Sequence, residues 1–524
     1  MKKLFLGLVV ISTVVLTGCA GLLGAEPPRG GQASDEQMKN TYKAFEAQLN
    51  GVYYYMAAGT YTGQQKYIDL ATDALTSDAV IVANIYGWSQ YYLGRIYNAY
   101  GSSSILNNEV WGSEYAIIRN INLLMLEAKK RLETGETGGI SVERLNNVLG
   151  QAYALRAHAY CNLLNLYTNP DKVKDDYQVI PYYNDDSTVM ESTQPYSSYK
   201  VVAQYVENDF LRAIELLKDS ERSANDKNTI DVDVARVLLA NFYMNDGRVF
   251  QIEKESENLQ KALALYDEVI NKNKYSILPY NQVLTNGFNS TASTNWMWGV
   301  DVDIQSSLRI NSFWSWMDIF SYGYASATDN ISLDDSIYNN FDNMLSPTDI
   351  RKKWWIAPND PTKLPNGKDT YGDSHKLAPY NKFFSPARQH GEDKVWLNDL
   401  VYMRIEEVHI LAAEAAAASG NDAKAIEYLK PLIEQRDPEF AANGLETLSG
   451  DALKAYINNN LRIELWMEGK SYMAWKRNKW QHTRGQDHSQ SRGEPVEYND
   501  PSWYYLELNA TERQYNPNPY NQGK

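Results

Sequence analysis

The chain has 524 residues, 44% hydrophobic and 22% charged, a balance that excludes a disordered chain and a polytopic membrane protein. Lys and Arg number 50 against 65 Asp and Glu, a net charge of −15, so there is no general basic surface to hold nucleic acid. Two cysteines exclude a disulfide framework and a Cys-rich metal site, and six histidines leave little material for a His-based one. The unusual feature is 39 Tyr and 13 Trp against 12 Phe, since Tyr and Trp suit half-exposed binding surfaces better than Phe does.

Lys2 and Lys3 precede an almost wholly apolar run from Leu4 to Leu16, the anatomy of a secretory signal. The run is shorter than the roughly 20 residues a spanning helix needs. It ends in Leu16-Thr17-Gly18-Cys19, small residues before a Cys, which resembles a bacterial lipobox. Residues 1–18 are therefore expected to be removed and Cys19 to carry the lipid. Two or more acyl chains would give stable anchoring, and Ala20 after the Cys is not the Asp of an inner-membrane retention signal. The Gly- and Pro-containing segment 19–36 reads as a flexible tether. No later stretch is apolar for long enough to span, so the expected contact with the membrane is the lipid anchor alone.

The predicted fold class is mainly all-α. Over 143–167, Leu145, Leu149, Ala152, Leu155, Ala159, Leu163 and Leu166 recur at helical steps until Asn169 and Pro170 stop them. Residues 199–217 repeat the pattern, and 232–245 with 257–271 form a helix pair. So do 402–418 and 422–436, separated by Gly420 and Asn421, which match one helical hairpin of tetratricopeptide (TPR) type. A final helix is predicted over about 450–477. The TPR-like helices thus fall into two blocks, about 143–272 and 402–477.

Between the blocks, about 279–398, prolines, Asn, Ser and Gly break every long helical period. Trp296, Trp298, Trp314, Trp316, Trp354, Trp355 and Trp396 lie here, seven of the 13 in the chain. Long irregular segments in compact proteins are usually functional. Sugar rings pack their C–H faces on Trp and Tyr, and their hydroxyls need fixed polar partners. The cluster Trp296, Trp298, Trp314, Trp316, Tyr322 and Tyr324, interspersed with Asn289, Asn295, Asp301, Asn311 and Asp318, fits that need. A second cluster holds Asn84, Tyr86, Trp88 and Arg95. The alternation at 296/298 and 314/316 also suits strands or core packing. The expectation for the set is that two or three of the tryptophans face solvent.

No catalytic residues are predicted. The chain has no phosphate loop, His-Glu-x-x-His pair or Gly-x-Ser-x-Gly elbow, and no carboxylate pair stands out as a glycosidase site. Asp334 with Asp335 reads as a solvated loop or helix start, His158 and His409 as structural, and Cys161 as a small buried hydrophobe. No cofactor and no metal site is expected, although Asp- and Asn-rich loops can supply oxygen ligands to a structural calcium; no EF-hand loop is present.

Three stretches carry a family resemblance. Ala74-Leu75-Thr76-Ser77-Asp78 resembles a Ser-Asp segment that precedes a binding loop. Residues 151–167 (QAYALRAHAYCNLLNLY), followed by Ile180-Pro181-Tyr182, resemble an Arg-Ala-x-x-Tyr-x-x-Leu helix with its apolar-Pro turn. Residues 461–469 (LRIELWMEG) and 515–520 (YNPNPY) resemble an Arg-x-x-Glu-Leu-x-x-Glu-Gly motif and an Asn-Pro-rich end. In this order they are similar to the SusD/RagB family of outer-membrane, nutrient-binding lipoproteins of Bacteroidetes. Lys470-Ser471-Tyr472 departs from the aromatic-Asp pair often found after the Glu-Gly. The resemblance implies one SusD-like domain over 37–524, no catalysis, and cell-surface binding of an oligosaccharide. It also implies delivery to a SusC-like TonB-dependent transporter, with the ligand held by the loops around Trp88 and around 296–324. Two other readings are a TPR scaffold lipoprotein that binds protein partners and a glycoside hydrolase with two carboxylates across a cleft.

Overall fold

The computed structural model describes residues 42–58, 64–76, 78–81, 101–175, 177–220, 222, 226–303, 308, 310, 312–327, 330–358, 375–388, 397–487, 495–497 and 504–520. Cys19 and the cluster Asn84, Tyr86, Trp88 and Arg95 lie outside these residues.

The chain is mainly helical, as its periodicity predicts. In order, the helices of eight residues or more are α1 (Tyr42–Ala58), α2 (Gln64–Leu75), α3 (Ile105–Thr134), α4 (Val142–Tyr167), α5 (Tyr199–Leu217) and α6 (Val232–Asn245). They continue with α7 (Glu255–Ile270), α8 (Ile405–Ala418), α9 (Asp422–Glu434), α10 (Gly450–Glu464) and α11 (Ser471–Asn478). Local chemistry sets their ends. The Ser141 hydroxyl accepts from Arg144 N at the start of α4, and Asp231 accepts from Val234 N at the start of α6. Each such cap is worth about 1 kcal/mol. Gly420, at φ 78°, turns the chain from α8 into α9, whose cap is Asn421.

The predicted stripe of α4 is buried, Leu145 to Leu166, between α3 on one side and α5 on the other. Each helix then packs on the next: α5 on α6, α6 on α7, α7 on α8, α8 on α9 and α10. The α7–α8 contact joins helices more than 130 residues apart in sequence, so the two blocks are one continuous stack in space and the insertion leaves from its middle. Burying each large aliphatic side chain along such a seam contributes about 1.5–3 kcal/mol.

Two departures from the predicted elements stand out. The 30-residue α3 and the shorter α1 and α2 have no counterpart in the reading. The single helix expected over 450–477 is two, α10 and α11. The chain between them turns through Met467 and Gly469 at positive φ. Gly469 is required there, because a Cβ would lie 2.3 Å from Asp69 Oδ1.

The insertion is irregular, with no helix longer than five residues among its described residues. It is held by short antiparallel pairings. β4 (Trp296–Val300) pairs with β6 (Leu400–Arg404), and β1 (Ala79–Ile81) pairs with β5 (Ile331–Leu333). Two further pairs, β2 (Gln178–Pro181) with β3 (Tyr196–Ser198) and β7 (Gln481–Thr483) with β8 (Pro495–Glu497), lie outside it.

Candidate ligand-binding face

A buried ionic cluster fixes the insertion to the helices. Glu464, at the end of α10, accepts from Arg351 Nη1 (3.1 Å), Arg404 Nη1 (2.7 Å) and Arg436 Nε and Nη2 (2.9 Å each). Glu468 accepts from Arg404 Nε at 2.8 Å and Lys382 Nζ at 2.9 Å. Asp349 pairs with Arg351, and Glu406 with Arg404 and Arg436. Four cations therefore meet four anions. Burial raises the Glu464 pKa, but Arg436, Arg404 and Arg351 outweigh it and hold the carboxyl well below the usual range. Glu468, also opposed by burial, is brought to about 2 by Arg404 and Lys382. Lys382 falls to about 8, through burial first, with Arg404 adding and Glu468 opposing. Residues 461–469 are thus a structural clamp between insertion and scaffold.

The same segment anchors α2 and the Ser-Asp stretch. Arg462 Nε and Nη2 donate to Asp78 Oδ1 at 2.9 and 2.6 Å, and Trp466 Nε1 donates to Asp78 O at 2.9 Å. Gly469 N and Ser471 N donate to the two oxygens of Asp73. Asp78 leads into β1, whose last residue, Ile81, is paired with Ile331. The partner strand β5 comes after the 312–327 segment in the chain.

That segment carries the exposed aromatics. Asp318 is buried and holds it in place, accepting from Phe320 N (3.0 Å), Ser321 Oγ (2.5 Å) and Ser385 N (3.0 Å). Beyond this pin Tyr322 is 54% exposed. Tyr324 is half-buried, with its ring stacked on Trp316 at 4.2 Å and 14°. Gly323 lets the turn close, since a Cβ there would lie 2.8 Å from Ser315 Oγ. A small satellite core of Ile319, Phe320, Ala325, Ile356, Ala378 and Phe384 supports the face. Tyr380 packs on Phe320 at 5.4 Å, and the Arg388 guanidinium lies 3.6 Å from the Phe384 ring centroid.

The tryptophans of the predicted platform behave otherwise. Trp296 and Trp314 are 0% exposed, Trp298 2% and Trp316 3%. The expectation that two or three of them face solvent is thus corrected for all four. Trp296 and Trp298 lie on β4, Trp298 edge-on to His158 and Tyr402. Trp314 donates from Nε1 to Asp399 O at 3.1 Å. Trp316 serves the face only from below, as the ring under Tyr324. The reason is area: these indoles are the largest apolar surfaces in a region short of aliphatic residues, and the insertion builds its core from them. The nearby Asn295 is also buried and donates to Glu406. Of the predicted ligand residues within the described part, the structure brings Tyr322 and Tyr324 to one surface. Tyr380 and Arg388 were missed; their signal was the Pro379-Tyr380 and Pro386 punctuation of the same insertion.

The other singled-out residues have structural surroundings. Asp334 caps a short helix and is buried rather than solvated. His158 hydrogen-bonds Gln65, and burial lowers its pKa to about 3. His409 Nδ1 meets Tyr428 O at 2.8 Å. A separate polar cleft of about 650 Å³, lined by Asn50, Arg144, Asn147, Gln151, Ser220 and Asp226 among others, contains none of the predicted residues. Among the described residues no helix is long and apolar enough to cross a membrane, and no group of His, Cys, Asp or Glu is placed to hold a metal ion.

A mainly helical stack with this ionic clamp and an aromatic insertion defines a class, and comparison with known proteins gives the family. Residues 32–244 match the family model SusD-like_3, described as starch-binding associating with outer membrane. Residues 198–523, more than half of the chain, match the SusD family model. The chain belongs to the SusD family. Its fold is similar to that of a SusD-like carbohydrate binding protein from Bacteroides vulgatus, 21% identical, with a TM-score of 0.70 over 92% of this chain and 98% of the other. It is also similar to a SusD superfamily protein from Bacteroides thetaiotaomicron, 20% identical, TM-score 0.73, covering 92% and 100%. A third, from Parabacteroides distasonis, is 16% identical with a TM-score of 0.65, covering 92% and 99%. No curated protein matches the chain.

Proposed function

We propose that this protein is a cell-surface lipoprotein that binds an oligosaccharide and passes it to a SusC-like TonB-dependent outer-membrane transporter, without cleaving it. The observation that carries the reading is the β1–β5 pairing. It joins the strand that follows the Ser-Asp stretch to the insertion, whose 312–327 segment holds exposed Tyr322 and the stacked Tyr324. A Tyr ring fixed from behind by a second ring offers a flat, rigid surface to a sugar, at little cost in ordering. Family membership and the carbohydrate-binding relative support the same ligand class.

Binding is tested on a glycan array with the full-length protein, followed by calorimetry on the best hits. Binding that disappears in Tyr322→Ala while the melting temperature holds supports the assignment; an array with no hits counts against it. The anchor is tested by Cys19→Ala, which should move the protein out of the membrane fraction. The transporter is tested by co-purification from the native membrane. Unchanged oligosaccharide length after incubation is the expected outcome for a binder; reproducible cleavage products would move the protein to the hydrolase class.

A further inference from the structure

Arg388, half-buried, stands apart from the buried and half-buried arginines of the scaffold. Arg351, Arg404, Arg436, Arg462 and Arg477 each hold a carboxylate. Arg388 has no carboxylate partner among the described residues. Its Nη2 donates to Asn381 Oδ1 at 3.0 Å and to Leu284 O at 3.4 Å. Its side chain also hydrogen-bonds Tyr380; a guanidinium has five N–H donors, so part of the fork remains beyond these three partners. The group is held rigidly, 3.6 Å from the centroid of Phe384, 5.0 Å from Tyr380 and 5.6 Å from Phe320. Its backbone is at φ 48°, the left-handed region that a non-glycine residue occupies at a cost, and such outliers gather at ligand clamps. Burial lowers its pKa against the opposing pull of Tyr380 and Asp318, as expected of a cation without full compensation.

The position matters as much as the charge. Asp318 ties Ser321 to Ser385, so the turn that carries Tyr322 and the loop that carries Arg388 are one unit. We propose that this face takes an acidic glycan, with the Arg388 guanidinium pairing a carboxylate or sulfate of the sugar while the Tyr322 and Tyr324 rings carry its apolar face. This rests on the glycan-binding reading above and names the ligand's charge. A chain of net charge −15 repels a polyanion at a distance, but that field is screened beyond about 8–10 Å in physiological salt. Selection of an anion then depends on a local cation, and a planar fork suits carboxylate and sulfate oxygens better than a point charge does.

The test is binding of the full-length, detergent-solubilised protein to matched oligosaccharide pairs. One arm sets oligogalacturonate against its methyl ester; the other sets sulfated galactan oligosaccharides against their desulfated form. A third comparison sets a wider panel of uronate-bearing and sulfated glycans beside neutral ones. In at least one pair the acidic member should bind about tenfold or more tightly, the scale of one charge-assisted hydrogen bond. The arm that shows it names the acidic group. Arg388→Gln should abolish the preference, whereas Arg388→Lys should retain part of it. Should Arg388→Gln fold poorly, raising salt on the parent protein should still erode the preference. Tight binding of neutral glycans with no acidic preference, or a preference that survives Arg388→Gln and high salt, overturns this proposal and leaves glycan binding standing. No binding by any member overturns both.

Discussion

The insertion contains two aromatic regions that differ in what the rings face. In the first, Trp296, Trp298, Trp314, Trp354 and Trp355 are buried together, and Trp354 and Trp355 pack edge-on at 5.9 Å with Trp466 beside them. In the second, Tyr322 is exposed, Tyr324 is stacked on Trp316, and the Arg388 guanidinium lies over Tyr380 at 5.0 Å. Both regions come from the same Pro- and Asn-rich stretch. The difference teaches that aromatic density marks an insertion that cannot find enough Leu, Ile and Val for a core. The proposed ligand face is the thinner layer above that core, made of rings whose hydroxyl edge tolerates water.

The largest expected effect lies beneath both regions. Glu464→Gln removes the charge that three buried guanidiniums share, and breaking a buried pair costs about 3–5 kcal/mol because it strands uncompensated charge. Such a loss is a large part of a typical domain's stability. The variant should therefore melt far below the parent or fail to accumulate, and a melting temperature within a few degrees would show that the cluster does not hold the insertion. Next comes the tryptophan layer: Trp314→Ala should cost roughly 3–5 kcal/mol of stability, read by denaturant unfolding. By contrast, Tyr322→Ala should leave unfolding nearly unchanged and weaken glycan binding by more than tenfold, the scale of about 2 kcal/mol seen at binding hot spots. If Trp314→Ala were mild on stability and Tyr322→Ala severe, the division between core and face would be reversed.

Much of this was legible in the sequence, and the limits have physical causes. The stripe of α4 and the pairs α6/α7 and α8/α9 stood out because apolar residues recur along them at helical steps, even though Arg156, Asp233, Glu407 and Glu414 are buried among them. α3 did not, although it is the longest helix described. Its inward face includes Asn107, Ser113, Glu114, Asn122 and Arg131, buried polar residues that blur the period. Asn107 spends its amide on Glu507 O and Asn122 on Tyr183 O, partners distant in sequence that no local pattern announces. The break between α10 and α11 was hidden for the same reason: it follows from long-range pairs to Glu464, Glu468 and Gly469 rather than from a helix-breaking residue run. The motif at 461–469 was found by resemblance, but its role as a clamp is visible only once Arg351, Lys382, Arg404 and Arg436 converge on it. For the proposed site, residue type did not separate exposed rings from buried ones. Tyr322 and Tyr324 face outward, while their tryptophan neighbours do not.

The smallest effect tests the junction where the scaffold meets the root of the binding segment. Asp73 is buried, with Asp69 and Asp78 nearby, and its pKa is pushed up to about 8, by burial first and then by Asp78 and Asp69, against hydrogen bonds from Gly469 N and Ser471 N. Its folded value therefore lies above its unfolded value of about 3.9. The folded state holds this proton over a range where the unfolded chain has released it. Its contribution to stability is fully present below the unfolded value and is lost as pH rises through the folded one. Between pH 6 and pH 8 the parent should lose about 2 kcal/mol from this group. In Asp73→Asn the side chain keeps one oxygen for Gly469 N or Ser471 N and turns an amide toward the other. The resulting cost does not vary with pH, so the level of stability is uninformative and the slope decides. Lys382, lowered to about 8, adds a slope of opposite sign in the same window, but it is common to both proteins and cancels in the difference. The expected result is a shallower decline of melting temperature from pH 6 to pH 8 in the variant than in the parent. Parallel declines would mean that Asp73 is already ionised at pH 6, and that the two backbone amides hold its charge better than burial opposes it.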